Sequence, residues 1–288
     1  MIRAALCLVV LWATCGAAVA DEPFVSVGFL EFPADVKLDA VSAVAVDADD
    51  RIYVLQRGTP PVLSFDAGGK FLRGWGADLY KVPHGLRVDR AGHVWTTDNG
   101  NHVLREFTRA GELLRTLGET GASATGAAFQ APDDLVFDSK GNLYVADSGN
   151  GRIVKLDSSG KLLLQWGKKG KESGQFATAH SLAIDAQDRI YVGDRGNQRV
   201  QVFDANGQHL ANWGGFGNPF GLIWFGDELL ASEGDKHQIV HLNRDGKITH
   251  TWGTPETLKL PHLMAVTSKG ELLVAEVNGK RVQRFQRK

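Results

Sequence analysis

One phrase of four short apolar runs recurs along this sequence, and its period leaves few architectures open. In its clearest copy, Pro83-His84-Gly85-Leu86-Arg87-Val88-Asp89 is followed by Val94-Trp95-Thr96-Thr97-Asp98, Val103-Leu104-Arg105-Glu106-Phe107 and Leu113-Leu114-Arg115-Thr116-Leu117-Gly118. The closing pairs fall at Trp75, Leu117, Trp166, Trp213 and Trp252, at spacings of 42, 49, 47 and 39 residues. Alternating Val, Ile, Leu and Tyr between turns such as Ser159-Gly160, Asn206-Gly207 and Asp245-Gly246 is hairpin chemistry, and no long helical period accompanies it. Each phrase reads as four antiparallel strands, and the spacing is that of propeller blades.

A sixth copy begins at Leu260-Pro261-His262 and reaches Lys288 after only three strands. The strand-like segment Phe24-Val25-Ser26-Val27-Gly28-Phe29-Leu30 lies ahead of the first copy and is free to supply the fourth. Borrowing it closes the ring and removes an exposed edge. The expected fold is all-β: one six-bladed β-propeller over residues 21–288, its last blade closed by an N-terminal strand.

Residues 1–20 stand apart. Arg3 precedes an unbroken run of apolar and small residues ending in Ala18-Val19-Ala20, the pattern of a signal peptide cleaved before Asp21. The run is too short for a membrane anchor, no later segment is long and apolar enough to span a bilayer, and the expected location is secreted or periplasmic. Cys15-Gly16 offers a lipid-attachment reading, but Trp12-Ala13-Thr14 fits such a site poorly. Both cysteines, Cys7 and Cys15, leave with this segment, so the propeller is held by packing and strand pairing and not by disulfides. With 32 basic and 33 acidic residues and no basic block, nucleic acid is not an expected partner. A monomer is expected.

Aligning the copies on the residue that ends the innermost strand (Asp47, Asp89, Asp138, Asp185, Phe225, Thr267) exposes a second pattern. Five residues earlier stand Ser42, His84, Asp133, His180, Phe220 and His262, where the chain enters the innermost strand at the rim of the central channel. A single histidine before a strand ordinarily caps a turn. Three of six equivalent positions, in a chain with 9 histidines among 288 residues, is a different matter. They occupy alternate blades, which sets three imidazoles about 120° apart around one axis. Three protein ligands with an open fourth position is the donor set of a catalytic zinc site, so one zinc per chain is expected on His84, His180 and His262. Asp133 shares the special position and either accepts from a ligand imidazole or caps its own turn. The remaining histidines, His93, His102, His209, His237, His241 and His250, fall in turns or outer strands and are expected at the surface.

A second pair follows the second strand of opposite blades: Arg57 in Leu55-Gln56-Arg57-Gly58 and Arg195 in Gly193-Asp194-Arg195-Gly196. The equivalent residues elsewhere include Asn99 and Ser148. Planar guanidinium forks facing each other across the channel mouth suit a carboxylate, although Arg195, beside Asp194, also reads as an ordinary turn pair.

The repeat resembles the NHL class of propellers. The set Gln56-Arg57-Gly58, Pro83-His84-Gly85-Leu86, Ala179-His180-Ser181-Leu182, Asp194-Arg195 and Leu260-Pro261-His262 resembles peptidyl-α-hydroxyglycine α-amidating lyase (peptidylamidoglycolate lyase). That resemblance implies zinc on the three histidines, Arg57 and Arg195 acting on substrate, and cleavage of an N-(α-hydroxyglycyl) amide into a terminal amide and glyoxylate. The substrate is then a small molecule or peptide carrying a carboxylate. Three features depart from the family. Its blade-three tyrosine and neighbouring disulfide cysteine are replaced by Ala146-Asp147-Ser148-Gly149-Asn150, leaving Tyr80 as the one tyrosine in a top-side loop. Its calcium-ligating aspartate after the third histidine is Leu263, so calcium is not expected. Against the lyase stands a non-catalytic reading, a metal-containing ring that binds a carboxylated ligand or envelope protein. A calcium-dependent lactonase-type channel would need a Glu/Asn/Asp set that the rim does not supply.

Overall fold

The computed structural model describes residues 23–119 and 129–288, so the expected signal peptide at 1–20 lies outside the described residues. Six separate four-stranded antiparallel sheets form six blades, as the period requires. Their innermost strands are Val41–Val46, Pro83–Val88, Pro132–Phe137, Ala179–Ile184, Gly221–Phe225 and Pro261–Val266, one per blade in chain order. Three 3-10 turns, Ser148–Asn150, Arg195–Asn197 and Gly234–Lys236, are the helical structure among the described residues. None of the described helices is long and apolar enough to cross a membrane.

Blade six is completed as expected. Phe24–Phe29 pairs antiparallel with Arg281–Arg287, and Leu30 N–H donates to the Val282 carbonyl at 2.9 Å.

The repeat sets how the blades pack. An aromatic residue recurs in the second strand as Tyr53, Trp95, Tyr144 and Tyr191, each buried, and its polar tip reaches back to the aspartate just after the innermost strand. Tyr53 Oη donates to Asp47 at 3.1 Å, Trp95 Nε1 to Asp89 at 3.0 Å and Tyr191 Oη to Asp185 at 2.9 Å. The large ring fills the space between sheets while its one polar atom is satisfied, which burial demands. Phe65, Phe107 and Phe203 recur at the end of the third strand with no exposure, each burial stabilising by roughly 1.5–3 kcal/mol.

A second recurrent device ties each blade to the segment that enters it. The second strands end in Gln56, Asp98, Asp147, Asp194, Glu233 and Glu276, all fully buried. Each accepts a main-chain N–H from the incoming segment: Asp39 to Gln56 (2.7 Å), Val82 to Asp98 (2.9 Å), Gln130 to Asp147 (2.7 Å), Ala177 to Asp194 (3.0 Å), Gly217 to Glu233, and Lys259 to Glu276 (2.6 Å). An arginine of the third strand neutralises most of these acids, namely Arg105, Arg152, Arg199 and Arg281 at 3.0, 2.7, 2.9 and 3.0 Å. Pairing is what makes such buried charge tolerable.

Candidate metal centre

Five of the six innermost strands begin with a break in register, between Val41 and Ala43, Pro83 and Leu86, Pro132 and Asp134, Ala179 and Ser181, and Pro261 and Met264. A bulge re-aims the side chain it contains. His84, His180 and His262 sit in three of these bulges, and the structure brings them together on the channel axis. Their ring centroids are 4.8, 4.9 and 5.0 Å apart, each ring is buried, and one ligand atom from each lies within 4.8 Å of the others.

The orientation of each ring is fixed by the next blade. His84 Nδ1 bonds the Asp133 carbonyl at 2.9 Å, His180 Nδ1 the Phe220 carbonyl at 2.7 Å, and His262 Nδ1 the Ser42 carbonyl at 2.6 Å. A carbonyl only accepts, so each Nδ1 carries a hydrogen, and it is Nε2 that bears the lone pair of the neutral ring. The three acceptors are the rim residues of the other three blades, giving a threefold arrangement of ligand and support. Burial holds His180 and His262 well below the usual histidine range, with the neighbouring His84 acting in the same direction, so both are neutral at pH 7. His180 Nε2 is buried with no hydrogen-bond partner. An orphaned acceptor among three imidazoles anchored through Nδ1 is the donor chemistry that suits zinc.

Two close approaches make this geometry possible. A Cβ on Gly85 would stand 2.5 Å from the Asp133 carbonyl oxygen, and one on Gly221 would stand 2.2 Å from that of His262. Only glycine admits either contact. Hydroxyls brace the same carbonyls, with Thr97 Oγ1 donating to Asp133 O at 2.9 Å and Ser232 Oγ to His262 O at 2.7 Å.

Asp133 therefore supports His84 through its main chain. Its carboxylate does something else: Oδ1 lies 3.7 Å from His84 Nε2, on the ligand side of the ring, and accepts from Asn99 Nδ2 at 2.7 Å.

Arg57 and Arg195 both lie near the histidines, and their positive charge contributes to holding His262 neutral. Neither guanidinium makes a side-chain hydrogen bond or ion pair among the described residues. Asp194, beside Arg195, is engaged by Arg199 instead, so the alternative of a turn pair does not apply. The Arg195 guanidinium lies over the Phe220 ring, 4.9 Å from its centroid. Phe220 in turn packs against His180 and His262 at 5.4 and 5.8 Å.

Tyr80 does not join the site. Its hydroxyl shares a hydrogen bond with Thr96 at 2.7 Å, Arg105 covers its ring, and burial pushes its pKa far above the usual tyrosine value. A side chain that packs its own blade cannot also face the channel.

Beyond the histidines the channel is interrupted by a feature the sequence did not advertise. Arg87 donates to Asp134 Oδ2 at 2.6 Å, to the Leu182 carbonyl at 3.1 Å and to the Leu135 carbonyl at 3.2 Å, linking blades two, three and four. Past it lies a cavity of about 310 Å³ lined mainly by apolar residues of the innermost strands, among them Val46, Ile184, Trp224 and Val266. The only trace of this link in the sequence is a charged residue in each of two innermost strands, Arg87 and Asp134.

Of the other histidines, His241 corrects the expectation of a surface position. It is buried, paired with Glu228 at 3.1 Å, and accepts from Trp252 Nε1 at 2.9 Å. Asp89, His93 and Glu106 also place donor atoms within 4.8 Å of one another. There His93 pairs with Glu106 at 2.8 Å, and Glu106 also pairs with Arg115. Blades five and six hold His241–Glu228 and Arg284–Glu271 pairs between the same two strands, so this group belongs to the packing.

Comparison with known proteins agrees with this architecture. Residues 81–107, 129–156 and 176–203, in blades two, three and four, match the NHL repeat. The chain is thus a six-bladed β-propeller, three of whose blades match the NHL repeat. NHL repeat-containing protein 3 of Mus musculus is 37% identical over 97 residues, and that of Homo sapiens 34% over 92, the matches covering 30% and 28% of this chain. The chain spans only 28% and 26% of the length of these relatives. Among solved structures, a streptogramin B lyase superposes with a TM-score of 0.70 at 13% identity, covering 92% of this chain and 98% of that one. A catalytically inactive virginiamycin B lyase from Staphylococcus aureus with quinupristin gives 0.67 at 15%, with coverage of 92% and 88%. The nidogen/laminin complex gives 0.66 at 19%, with coverage of 78% and 84%. At such identities the likeness is one of fold.

Proposed function

We propose that this propeller is a zinc-dependent lyase that cleaves N-acyl-α-hydroxyglycines to a terminal amide and glyoxylate. The observation that carries the reading is the juxtaposition of three carbonyl-anchored imidazoles with two arginines that have no acid partner among the described residues. His84, His180 and His262 would hold the ion through Nε2. When bound, zinc supplies a Lewis acid for the substrate hydroxyl. Arg57 and Arg195 bind the substrate carboxylate through their guanidinium forks, Arg195 from its place over the Phe220 ring. The reading draws on this site and not on the lyases that share the fold, whose likeness is too distant to transfer a reaction. An exported protein, freed of residues 1–20, is part of the same proposal.

The test is glyoxylate release from small N-acyl-α-hydroxyglycines by zinc-loaded and chelated protein. Zinc-dependent release is expected, with Arg57→Ala and Arg195→Ala each lowering kcat/KM by about 10- to 100-fold, the worth of a charge-assisted hydrogen bond, at unchanged zinc content. The turn of the Tyr80 hydroxyl toward Thr96 favours a second reading, a zinc propeller that binds a carboxylated ligand without turnover. Carboxylate binding with no glyoxylate above the chelated control would select it.

A further inference from the structure

We infer that Asp133 is the proton acceptor of the reaction, a role that rests on the lyase reading above. The argument starts from a comparison internal to the ring. Asp133, Phe220 and Ser42 perform the same main-chain task, each offering its carbonyl to the Nδ1 of a ligand histidine. An acid, an aromatic ring and a hydroxyl serve equally, so supporting the histidine places no demand on the side chain. Asp133 alone of the three brings a carboxylate to the ligand side, 3.7 Å from His84 Nε2.

That carboxylate is also uncommitted. The adjacent Asp134 is consumed by Arg87 and by the N–H groups of Leu135 and Leu182. Asp133 instead accepts one side-chain hydrogen bond, from Asn99, and forms no ion pair with lysine or arginine among the described residues. Asn99 holds Oδ1 in place without neutralising it, and stands at the position that Arg57 and Arg195 occupy in blades one and four. A carboxylate without a cationic partner, a fixed orientation and a place beside the ligand atoms are what proton abstraction from a hydroxyl at this site needs.

The step balances with no further reactant. The Asp133 carboxylate takes the hydroxyl proton, the oxygen's electron pair forms the carbonyl of glyoxylate, and the C–N bond breaks with its electrons passing to nitrogen. The same proton is then returned to nitrogen, releasing the terminal amide and restoring the carboxylate.

The experiment compares zinc-loaded wild type with Asp133→Asn, Asp133→Glu and Asp133→Ala, measuring zinc content, KM and kcat for glyoxylate release. Asp133→Asn preserves shape and should lose about 100-fold or more in kcat, with zinc content and KM within twofold of wild type. Asp133→Glu should retain part of the rate, and added formate should restore part of the rate of Asp133→Ala, which a purely structural side chain would not allow. Asn substitution at wild-type rate, loss of zinc from that variant, or no rescue by formate overturns the assignment. An inert wild type fails the lyase reading first, and is recognised because no variant then differs from it.

Discussion

Two rings of polar residues encircle the channel, and they obey different symmetries. The residues that close the second strands, from Gln56 to Glu276, do one job six times: each captures the N–H of an incoming segment. The rim residues start from equally equivalent positions and split into alternating halves, three imidazoles pointing inward and three carbonyls holding them. A repeat makes the structural solution uniform, because every blade faces the same problem of attaching itself to its neighbour. Chemistry needs unlike groups at one point, so it appears where equivalence is broken.

The sharpest way to break this contrast is to remove the threefold set. Replacing His84, His180 and His262 together by alanine should abolish zinc binding, and each single change should weaken it by at least about 100-fold, read by metal analysis after dialysis against a weak chelator. His93→Ala, in the packing group, should leave zinc content unchanged. Loss of zinc from the His93 variant, or its retention in the triple variant, would erase the distinction between the two kinds of cluster.

The sixfold ring should fail in the opposite manner. Asp194→Ala removes the acid that pairs with Arg199 and accepts the Ala177 N–H, and breaking a buried pair in this way costs about 3–5 kcal/mol. For a chain of this size that lowers Tm by on the order of 10 °C, while zinc stoichiometry below the melting range stays at the wild-type value. Calorimetry and metal analysis on the same sample decide the matter.

The smallest effect belongs to a residue that serves both. Thr97 donates to the Asp133 carbonyl and accepts the Gly85 N–H at 2.8 Å. Thr97→Val leaves that N–H unsatisfied, a cost of about 1–3 kcal/mol. It should lower zinc affinity less than tenfold, since the His84 Nδ1 contact itself remains. A competition titration measures it.

Much of this was legible before any coordinates. Period and turn chemistry set the blades, and the three-strand sixth copy required Phe24–Phe29. The alternate-blade histidines were visible because repeat alignment turns sequence position into angle. What was hidden depended on which atom of a residue faces where. Asp133 had two open roles from sequence; its carbonyl takes the first by bonding His84, while its carboxylate accepts from Asn99 of blade two and not from its own turn. His241 looked superficial because its place in the third strand does not reveal that Glu228 and Trp252 close over it. Tyr80 stood near the mouth by counting along the chain, but its loop folds the ring back toward Arg105. Arg87 escaped notice because its partners, Asp134 and the Leu182 carbonyl, come from two other blades.

The bond between His262 and the Ser42 carbonyl joins residues separated by 220 positions and crosses the seam where the last blade meets the first. During synthesis the strand Phe24–Phe29 emerges early and stays unpaired until Arg281–Arg287, the last of the described strands, leaves the ribosome. Until then a nascent chain owns two of the imidazoles and their supports, while the third has no fixed bearing. Zinc would thus be acquired by a finished circle and not by a growing arc, and the ion's residence would report that the first described strand has met the last.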